Sequence, residues 1–476
     1  MLLNCFDCFA NKNNGNHHQT KLIPIHLITT TNYPAWLATQ PTTTQNWLAA
    51  TQFRAEAGSV RLLPDAVGNI SQVICCIAEQ HNFWDVGNLP FVLPEGQYEF
   101  ANTTEQQLTE QQFINFGIAW GLGAYQFTRY KTEKKNNRAA AQLHLPEKVA
   151  TQINETVQSI YLVRDLINTP ADDMGPTELA AAAKKLAQEF KAQFSEIVGE
   201  DLLKENYAGI YTVGRASDDA PRLVDIRWGN PTQRKVTLVG KGVCFDTGGL
   251  DLKPSSYMLL MKKDMGGAAH VLGLARMIMA AKLPVCLRVL IPIAENNIGG
   301  NAYRPGDVIK SRKGLTIEVG NTDAEGRVVV ADALTEAVSE KPDLLIDITT
   351  LTGAARVALG TELPGFFANQ NKLAQALIDA GEKTQDPVWR LPLFALYRDS
   401  INSQIADLNN SSSDSYGGAI TAALFLKEFV PDTISWLHFD IMAWNLRARP
   451  GRPQGGEAVA LRALFQLVRE GEERGI

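Results

Sequence analysis

The second half of the chain alternates short apolar segments with segments of helical periodicity. The apolar segments are rich in branched residues and read KVTLVG, VCLRVLIPIA, LTIEV, DLLIDITTL and ISWLHFDIM. The segments between them carry apolar residues at helical spacing and read GGAAHVLGLARMIMAAKL, GRVVVADALTEAVSE and KLAQALIDAGEK. Buried strands that alternate with helices predict an α/β fold with a mixed, largely parallel sheet covered by helices. Such sheets bind ligands beyond the carboxyl ends of their strands.

The length of the chain predicts two domains, because 476 residues exceed what one hydrophobic core usually serves. A long segment of helical periodicity, PEKVATQINETVQSIYLVRDLINTP, stops at Pro170 and predicts a helix between the two halves. We therefore predict a loose polar tail, a smaller N-terminal α/β domain, a linker helix and a larger C-terminal α/β domain, over residues 1–20, 21–145, 146–168 and 169–476.

Composition and charge exclude several classes of protein. A net charge of -6 does not indicate a nucleic-acid partner, because binding to phosphates requires a basic surface. The longest uncharged stretch, QQFINFGIAWGLGAYQFT, is too polar to span a membrane and predicts a closely packed helix. Six cysteines, without a secretory signal at the start, indicate the reducing cytoplasm.

Charged residues gather where predicted strands give way to helices. VGKGVCFDTGGLDLK and MKKDMGG contribute one group, and NTDAEGR contributes another between a strand and a helix. The residues of interest are Lys241, Asp246, Lys253, Asp264, Asp323, Glu325 and Arg327. The sheet edge would bring these side chains together.

Four carboxylates in a partly dry pocket repel one another unless cations compensate their charge. Two divalent metal ions would neutralise Asp246, Asp264, Asp323 and Glu325, as in two-metal hydrolases. The chain has no HExxH motif and no paired CxxC motif, so an oxygen-dominated site accepts Mn²⁺, Zn²⁺ or Mg²⁺. Taken singly, Asp246 and Asp264 could instead cap helices, and Lys241 and Lys253 could be surface lysines.

These motifs resemble those of the leucyl (cytosol) aminopeptidase family of two-metal exopeptidases. The likeness rests on VGKG, FDTGG, KKDMGGAA and above all NTDAEGRVVVADAL, in matching order and spacing. RDLINTP, TTLTGAARVALG and GGAITAALFLKEFV extend it from about Ile160 to the C-terminus. The resemblance implies that the C-terminal domain is a catalytic aminopeptidase domain.

The resemblance also implies a role for each residue. One ion would be bound by Asp246, Asp323 and Glu325, and the second by Lys241, Asp246, Asp264 and Glu325. A neutral lysine is required for the second set, and nearby ions depress the pKa of such a lysine. Charged Lys253 would stabilise the oxyanion, and Arg327 would hold a bicarbonate that acts as general base.

Substrate-binding residues implied by the resemblance are Met261, Thr350, Gly353 and the residues after FDI, which include Met442. This chain reads HFDIMAWN where many relatives have a small DIAG turn. Met442 and Asn445 therefore leave the size and polarity of the side-chain pocket, and a preference for leucine, open.

The resemblance further implies a macro-like N-terminal domain, a homohexamer built as a dimer of trimers, peptide substrates and a role in intracellular peptide turnover. Two other functions stay open. A two-metal acidic site also suits phosphoester hydrolysis, and the chain could be a binding or scaffold protein with a vestigial site.

Several weaker signals have ordinary explanations. Cys5 and Cys8, near His17 and His18, resemble half of a zinc-binding motif. One short half-motif on a tail is weak evidence for a zinc site. His270 and His438 lie in apolar segments and are predicted to be core histidines. NNSSSDSYGG, a low-complexity stretch, predicts a loop.

Overall fold

A computed structural model describes residues 8–10, 22–101, 108–132, 139–471 and 475. The chain divides into two compact units, the first being Met1–Tyr161 with Arg447–Gln454 and the second Leu162–Leu446 with Gly455–Ile476. The division falls inside the helix Glu147–Asn168. Residues 447–454 return to the first unit, whereas the sequence predicted an uninterrupted domain over 169–476.

The first unit contains a five-stranded sheet with strand order β2-β3-β1-β4-β5. All neighbouring strands are parallel except β2 and β3, which are antiparallel. The strands are β1 Ile23–Ile28, β2 Val60–Pro64, β3 Ile70–Cys76, β4 Gln97–Phe100 and β5 Gln142–Leu143. The helices are α1 Tyr33–Thr39, α2 Thr42–Ala50, α3 Leu89–Val92, α4 Glu110–Gly123 and α5 Glu147–Asn168, which crosses the division.

Helix α4 forms the closely packed helix predicted from the long uncharged stretch. A Cβ atom on Gly117 would lie 2.7 Å from Ile153 Cδ1, and one on Gly121 would lie 2.6 Å from Val157 Cγ2. The glycines therefore let α4 approach α5 closely. Across the described part of the chain, helices fall short of the length and apolar character that a membrane crossing needs.

Part of the predicted N-terminal tail is packed instead. Cys8 and Phe9 are buried, and Phe9 forms a parallel bridge with Leu143. The prediction of a loose tail is wrong at residues 8–10. The side chains of Cys8 and Phe9 are apolar, so their burial is favourable, unlike that of the polar residues on either side. Cys5, His17, His18 and the rest of the predicted tail lie outside the described residues.

The second unit contains the remaining elements of the described chain. Its strands are β6 Gln193–Val198, β7 Arg222–Trp228, β8 Arg234–Gly240, β9 Gly242–Asp246, β10 Val285–Asn296, β11 Val308–Lys310, β12 Thr316–Glu318, β13 Leu344–Thr349, β14 Gly365–Ala368, β15 Trp389–Arg390, β16 Leu408–Asn409, β17 Ser435–Asp440, β18 Trp444–Asn445 and β19 Gly455–Gly456. Its helices are α6 Pro176–Glu189, α7 Asp201–Lys204, α8 Ala208–Gly214, α9 Ser255–Met258, α10 Gly266–Ala280, α11 Glu325–Ser339, α12 Gly353–Leu359, α13 Asn371–Thr384, α14 Gly418–Lys427 and α15 Leu461–Glu470.

A nine-stranded mixed sheet organises this unit, with strand order β15-β14-β17-β13-β8-β10-β7-β6 and β9 paired to β10. Its centre, β17-β13-β8-β10, is parallel, as predicted. The segment LTIEV does not join this sheet. It forms β12, which pairs with β11 and β16 in a separate three-stranded sheet. A short apolar run predicts a strand but does not specify its partner.

Helix α10 lies directly against the carboxyl ends of the central strands. Its residues Gly266–Met279 are all buried, as expected for a helix that is apolar all round. A Cβ atom on Gly267 would lie 2.0 Å from the carbonyl oxygen of Ile348. Glycine at this position therefore allows the start of α10, and Asp264 just before it, to reach the sheet edge.

Candidate functional site

Lys241 and Asp246 frame the short strand β9 at the carboxyl edge of the nine-stranded sheet. Lys241 is the single residue between β8 and β9, and Asp246 is the last residue of β9. Asp246 pairs in register with Asn296, which ends β10. Both charged side chains are buried, so their charges must be met by other groups of the protein or by a ligand.

The loop after β9 turns back on itself and returns Lys253 to Asp246. Gly248 has φ +88°, and a Cβ atom there would lie 2.5 Å from the carbonyl oxygen of Asp251, so the turn requires glycine. The Lys253 amide donates to the carbonyl oxygen of Thr247 at 2.9 Å. Lys253 Nζ then lies 2.8 Å from Asp246 Oδ2 and also pairs with Asp323.

A 3₁₀ turn, Thr322–Ala324, presents Asp323 and leads directly into α11, which begins at Glu325. Asn321 Oδ1 accepts from the Asp323 amide at 2.7 Å. Asn410 fixes the backbone just before this turn. Its Oδ1 accepts from the Gly320 amide and its Nδ2 donates to the Asn321 carbonyl oxygen, both at 2.8 Å. Glu325 is consequently fixed and buried at the start of its helix.

The four acidic side chains meet around two lysines. Lys241 Nζ lies 2.7 Å from Asp264 Oδ2 and 2.8 Å from Glu325 Oε1. Asp246, Asp323 and Glu325 each offer a carboxylate oxygen within 4.8 Å of the others. We call these four acids, Asp246, Asp264, Asp323 and Glu325, the acidic cluster.

The acidic cluster carries more negative charge than the two lysines balance. Burial and the Asp246 carboxylate raise the pKa of Glu325 to about 8 and that of Asp323 to about 6. Asp264 Oδ2 and Glu325 Oε1 are buried and close to Lys241 Nζ, but within the described residues neither oxygen accepts a well-directed hydrogen bond. Such oxygens are suited to binding a cation.

The carboxylates of the acidic cluster also shift the pKa values of Lys241 and Lys253. Burial alone would lower the pKa of Lys241, but the carboxylates of Asp264, Glu325 and Asp246 raise it above its ordinary value. Lys253 behaves in the same way, since burial lowers its pKa while Asp246 and Glu325 raise it overall. Both side chains therefore carry a positive charge in this arrangement.

Neither Asp246 nor Asp264 caps a helix. Asp246 Oδ1 accepts from the Gly248 amide at 2.9 Å, and the next helix, α9, begins only at Ser255. The N-cap residue of α10 is Met265, which makes no side-chain capping bond. The capping alternative raised by the sequence is thus removed for both acids.

The residues predicted to bind substrate lie at different depths. Met261 and Thr350 are buried, Met442 is half-buried and Gly353, the first residue of α12, is exposed. Thr350 Oγ1 lies 2.7 Å from Asp264 Oδ1, which links this side of the site to the acidic cluster. Asn445 is buried, and its Nδ2 donates to Glu457 Oε2 at 2.6 Å.

Arg327 is a buried cation near the acidic cluster. Its Nε has no hydrogen-bond partner among the described residues, and its guanidinium carbon lies 6.0 Å from the centre of the Phe425 ring. Burial lowers the pKa of Arg327 to about 10, although the charges of Glu325 and Asp440 oppose this shift. A buried guanidinium with free bonding capacity is suited to binding a small anion.

Sequence reasoning missed the polar residues that hold the cluster in place. Asn296 is fully buried, and its Nδ2 donates to Asp246 Oδ1 at 2.8 Å and to the Thr322 carbonyl oxygen at 3.0 Å. The hydroxyl of Tyr303 donates to the same Thr322 oxygen at 2.6 Å. The only sequence signal was an asparagine at the end of a long apolar strand, which is a weak one.

His270 and His438 are buried, as predicted. His270 Nδ1 lies 2.6 Å from the Gly266 carbonyl oxygen, and its Nε2 accepts from the Val459 amide. His438 Nδ1 lies 2.5 Å from Asp347 Oδ1, and the same carboxylate accepts from Trp436 Nε1. These contacts place both rings in the core of the second unit.

Comparisons with known proteins identify the family to which this chain belongs. The family model of the cytosol aminopeptidase catalytic domain matches residues 161–465, and the model of the M17 aminopeptidase N-terminal domain matches residues 23–146. A probable cytosol aminopeptidase from Roseiflexus castenholzii is 38% identical over 430 residues, which cover 86% of this chain and 85% of that protein. Peptidase B from Yersinia pseudotuberculosis is 42% identical over 337 residues, covering 69% and 78% respectively.

Solved structures show the same similarity. The crystal structure of a cytosol aminopeptidase from Coxiella burnetii is 52% identical, with a TM-score of 0.92 and coverage of 98% of this chain and 99% of that one. The bottromycin maturation enzyme BotP in complex with Mn is 30% identical, with a TM-score of 0.85 and coverage of 94% and 98%. The chain therefore belongs to the cytosol aminopeptidase family and is an enzyme, an aminopeptidase-type metalloexopeptidase of the hydrolase class.

Proposed function

We propose that this enzyme removes N-terminal amino acids from peptides with the help of two divalent metal ions bound at the acidic cluster. The observation that carries the proposal is the convergence of four carboxylates whose charge two lysines leave partly uncompensated. Mn²⁺ is the ion named in the structure of the relative BotP. Zn²⁺ and Mg²⁺ suit the same donors.

The donor set fits such ions in number and chemistry. Asp246, Asp323 and Glu325 would hold one ion, and Lys241, Asp246, Asp264 and Glu325 would hold the other. Lys241 would be in its neutral form, because a nearby divalent ion depresses the pKa that the carboxylates alone raise. The raised pKa values of Glu325 and Asp323, about 8 and about 6, indicate that added positive charge is favourable here. Bound ions would supply a Lewis acid for the scissile carbonyl and lower the pKa of the attacking water.

Two cationic side chains of the chain itself complete the proposed chemistry. Lys253, at the edge of the acidic cluster, carries a positive charge that would stabilise the oxyanion formed from the scissile carbonyl. Arg327 is buried, and its Nε has no hydrogen bond within the described part of the chain, so it would hold a bicarbonate that takes up the proton of the attacking water. Arg327 is buried and Lys253 is partly buried, which strengthens these interactions because screening by water is weak there.

A pair of chromogenic substrates tests the proposed reaction. The Mn²⁺-loaded protein is expected to hydrolyse leucine p-nitroanilide and to leave p-nitrophenyl phosphate intact. N-acetyl-leucine p-nitroanilide, which lacks the free amine, is expected to resist hydrolysis and serves as the control for exopeptidase action. Hydrolysis of the phosphate ester alone would contradict the proposal and favour the phosphoesterase alternative.

Asn296 provides a test of the metal site that does not depend on turnover. Because its Nδ2 orients Asp246 Oδ1 and the Thr322 carbonyl, we expect Asn296→Ala to weaken Mn²⁺ binding by about 10–100-fold. Isothermal titration measures the affinity. Asn297→Ala, one residue along and directed at Glu295, is expected to bind Mn²⁺ like the unaltered protein. Equal affinity in both variants would argue against Asp246 as a metal ligand.

Further parts of the proposal concern substrate, assembly and location. We infer that Met261, Thr350, Gly353 and Met442 contact the N-terminal side chain of the peptide. We also infer a homohexamer, arranged as a dimer of trimers, and a role in peptide turnover in the cytoplasm. The support for these inferences is membership in the family and the names of the relatives, several of which are called cytosol aminopeptidases.

A further inference from the structure

Lys263 is a buried cation that the proposed mechanism does not use. It lies in the 3₁₀ turn Met261–Met265, directly before Asp264, and is 1% exposed. Its Nζ has no hydrogen-bond partner in the described part of the protein, and Asp264 Oδ1 lies 4.0 Å away. A desolvated ammonium without a partner is unfavourable by several kcal/mol in general, so a lysine here calls for a functional explanation.

Neighbouring lysines show how unusual this arrangement is. Lys262 Nζ donates to the Asn168 carbonyl oxygen at 2.7 Å and lies 5.4 Å from the centre of the Trp444 ring. Lys241 Nζ contacts two carboxylates at 2.7 and 2.8 Å. Among these three, Lys263 alone has an ammonium that is fully buried, makes no hydrogen bond with the described residues and lies no nearer than 4.0 Å to a carboxylate.

The two acids near Lys263 do not pair closely with its ammonium. Asp264 and Asp440 attract its ammonium, while Arg356 and Lys241 repel it. The oxygens on this side already accept other hydrogen bonds, because Asp264 Oδ1 accepts from Thr350 and Asp440 accepts from the amides of residues 351 and 352 and from the Thr352 hydroxyl. On this side of Asp264, both acids are thus engaged by other donors, and the Lys263 ammonium makes a hydrogen bond with neither of them.

The position of Lys263 relative to the acidic cluster indicates what kind of anion would pair with its ammonium. Asp264 Oδ2 faces Lys241 and the cluster, whereas Asp264 Oδ1 faces Thr350 and Lys263. A peptide whose reacting bond lies at the cluster would have its adjoining groups on the Lys263 side of Asp264. The long flexible stem of a lysine allows the ammonium to turn toward a carboxylate there.

We propose that Lys263 is a specificity-determining residue that pairs with a carboxylate of the substrate. The inference rests on the proposed peptidase function and names the substrate class as acidic peptides. The carboxylate has two sources, the side chain of an N-terminal glutamate or aspartate, and the C-terminus of a dipeptide. A desolvated pair between an ammonium and a carboxylate discriminates strongly against a neutral analogue, because the analogue leaves the ammonium unpaired.

Two pairs of matched substrates distinguish an N-terminal side-chain carboxylate from the C-terminal carboxylate of a dipeptide. The Mn²⁺-loaded full chain, Lys263→Met and Lys262→Met are compared by kcat/KM. The first substrate pair is the p-nitroanilides of glutamate and glutamine, which differ only in the side-chain carboxylate. The second pair is Leu-Gly and Leu-Gly-amide, which differ only in the C-terminal carboxylate. Lys263→Arg retains the charge and is the rescue variant.

We expect Lys263→Met to lower one of these two ratios roughly 100-fold, with Lys263→Arg restoring much of it and Lys262→Met leaving both ratios unchanged. A fall in the glutamate to glutamine ratio assigns the side-chain carboxylate, and a fall in the dipeptide ratio assigns the C-terminus. If Lys263→Met folds cooperatively and both ratios stay within about twofold, the inference is overturned. If the unaltered protein cleaves none of the amide or peptide substrates, the proposed function falls as well.

Discussion

Replacing Glu325 by glutamine is expected to abolish both Mn²⁺-dependent stabilisation and peptidase activity. Glu325 is 1% exposed and lies at the meeting point of the acidic cluster, within reach of Lys241 and of both proposed ions. A neutral amide binds a divalent ion far more weakly than a carboxylate does. Loss of ion-assisted catalysis, worth several kcal/mol, corresponds to a fall in kcat/KM of at least about 10³-fold.

Thermal unfolding and titration calorimetry provide readouts besides activity. Ion concentrations of about 100 times the dissociation constant should stabilise the unaltered protein by about 2.7 kcal/mol for each site, and chelation should reverse this gain. Glu325→Gln is expected to lose this response. Glu318→Gln, on β12 just ahead of the same turn, is the matched control because its carboxylate contacts only Ser403 among the described hydrogen bonds. Retention of two Mn²⁺ equivalents by Glu325→Gln would refute the assigned ligand sets.

Replacing Lys253 by methionine is expected to lower kcat by about 10²–10³-fold while Mn²⁺ binding is retained. The reason is that the Lys253 charge would act on the oxyanion of the transition state, and removal of one such group typically has this effect. KM should change little, since the ground-state carbonyl carries much less negative charge.

Measuring Mn²⁺ affinity beside kcat in Lys253→Met distinguishes a role in the transition state from a purely structural role of Lys253. Lys253 pairs with Asp246 and Asp323 in the structure, so a merely structural lysine would alter Mn²⁺ affinity and thermal stability when replaced. Lys282→Met, on an exposed residue after α10, controls for the general loss of a surface charge. A fall in kcat of less than tenfold, or a parallel loss of Mn²⁺, would rule out an electrostatic role in the transition state.

Prediction from the sequence succeeded where local patterns determine local structure. The helical period of GRVVVADALTEAVSE and the branched run of VCLRVLIPIA correspond to α11 and β10. The motif residues were found because charged groups stand out at the ends of apolar segments. The strand LTIEV was predicted correctly as a strand, but it lies in the small sheet rather than in the sheet that carries Asp246.

Other features depend on contacts that no local pattern encodes. Asn410 lies in the low-complexity stretch predicted only as a loop, yet it is fully buried and holds the turn of Asp323 from 90 residues away. Phe9 lies in a segment whose composition indicated a loose tail, yet it pairs with Leu143. In both cases the energy comes from burying and pairing groups against distant parts of the chain.

The order and types of residues along the chain were enough to establish the α/β architecture, the family and the set of charged groups at the strand ends. Folding in three dimensions established which oxygen faces which lysine and that Asn296 orients Asp246 across 50 residues. It also left Lys263 Nζ without a hydrogen bond among the described residues, 4.0 Å from an Asp264 oxygen that accepts from Thr350. The physical reason is that periodicity and spacing describe neighbours in the chain. Whether a buried charge is balanced depends instead on groups that only the packed sheet and helices bring within hydrogen-bonding distance.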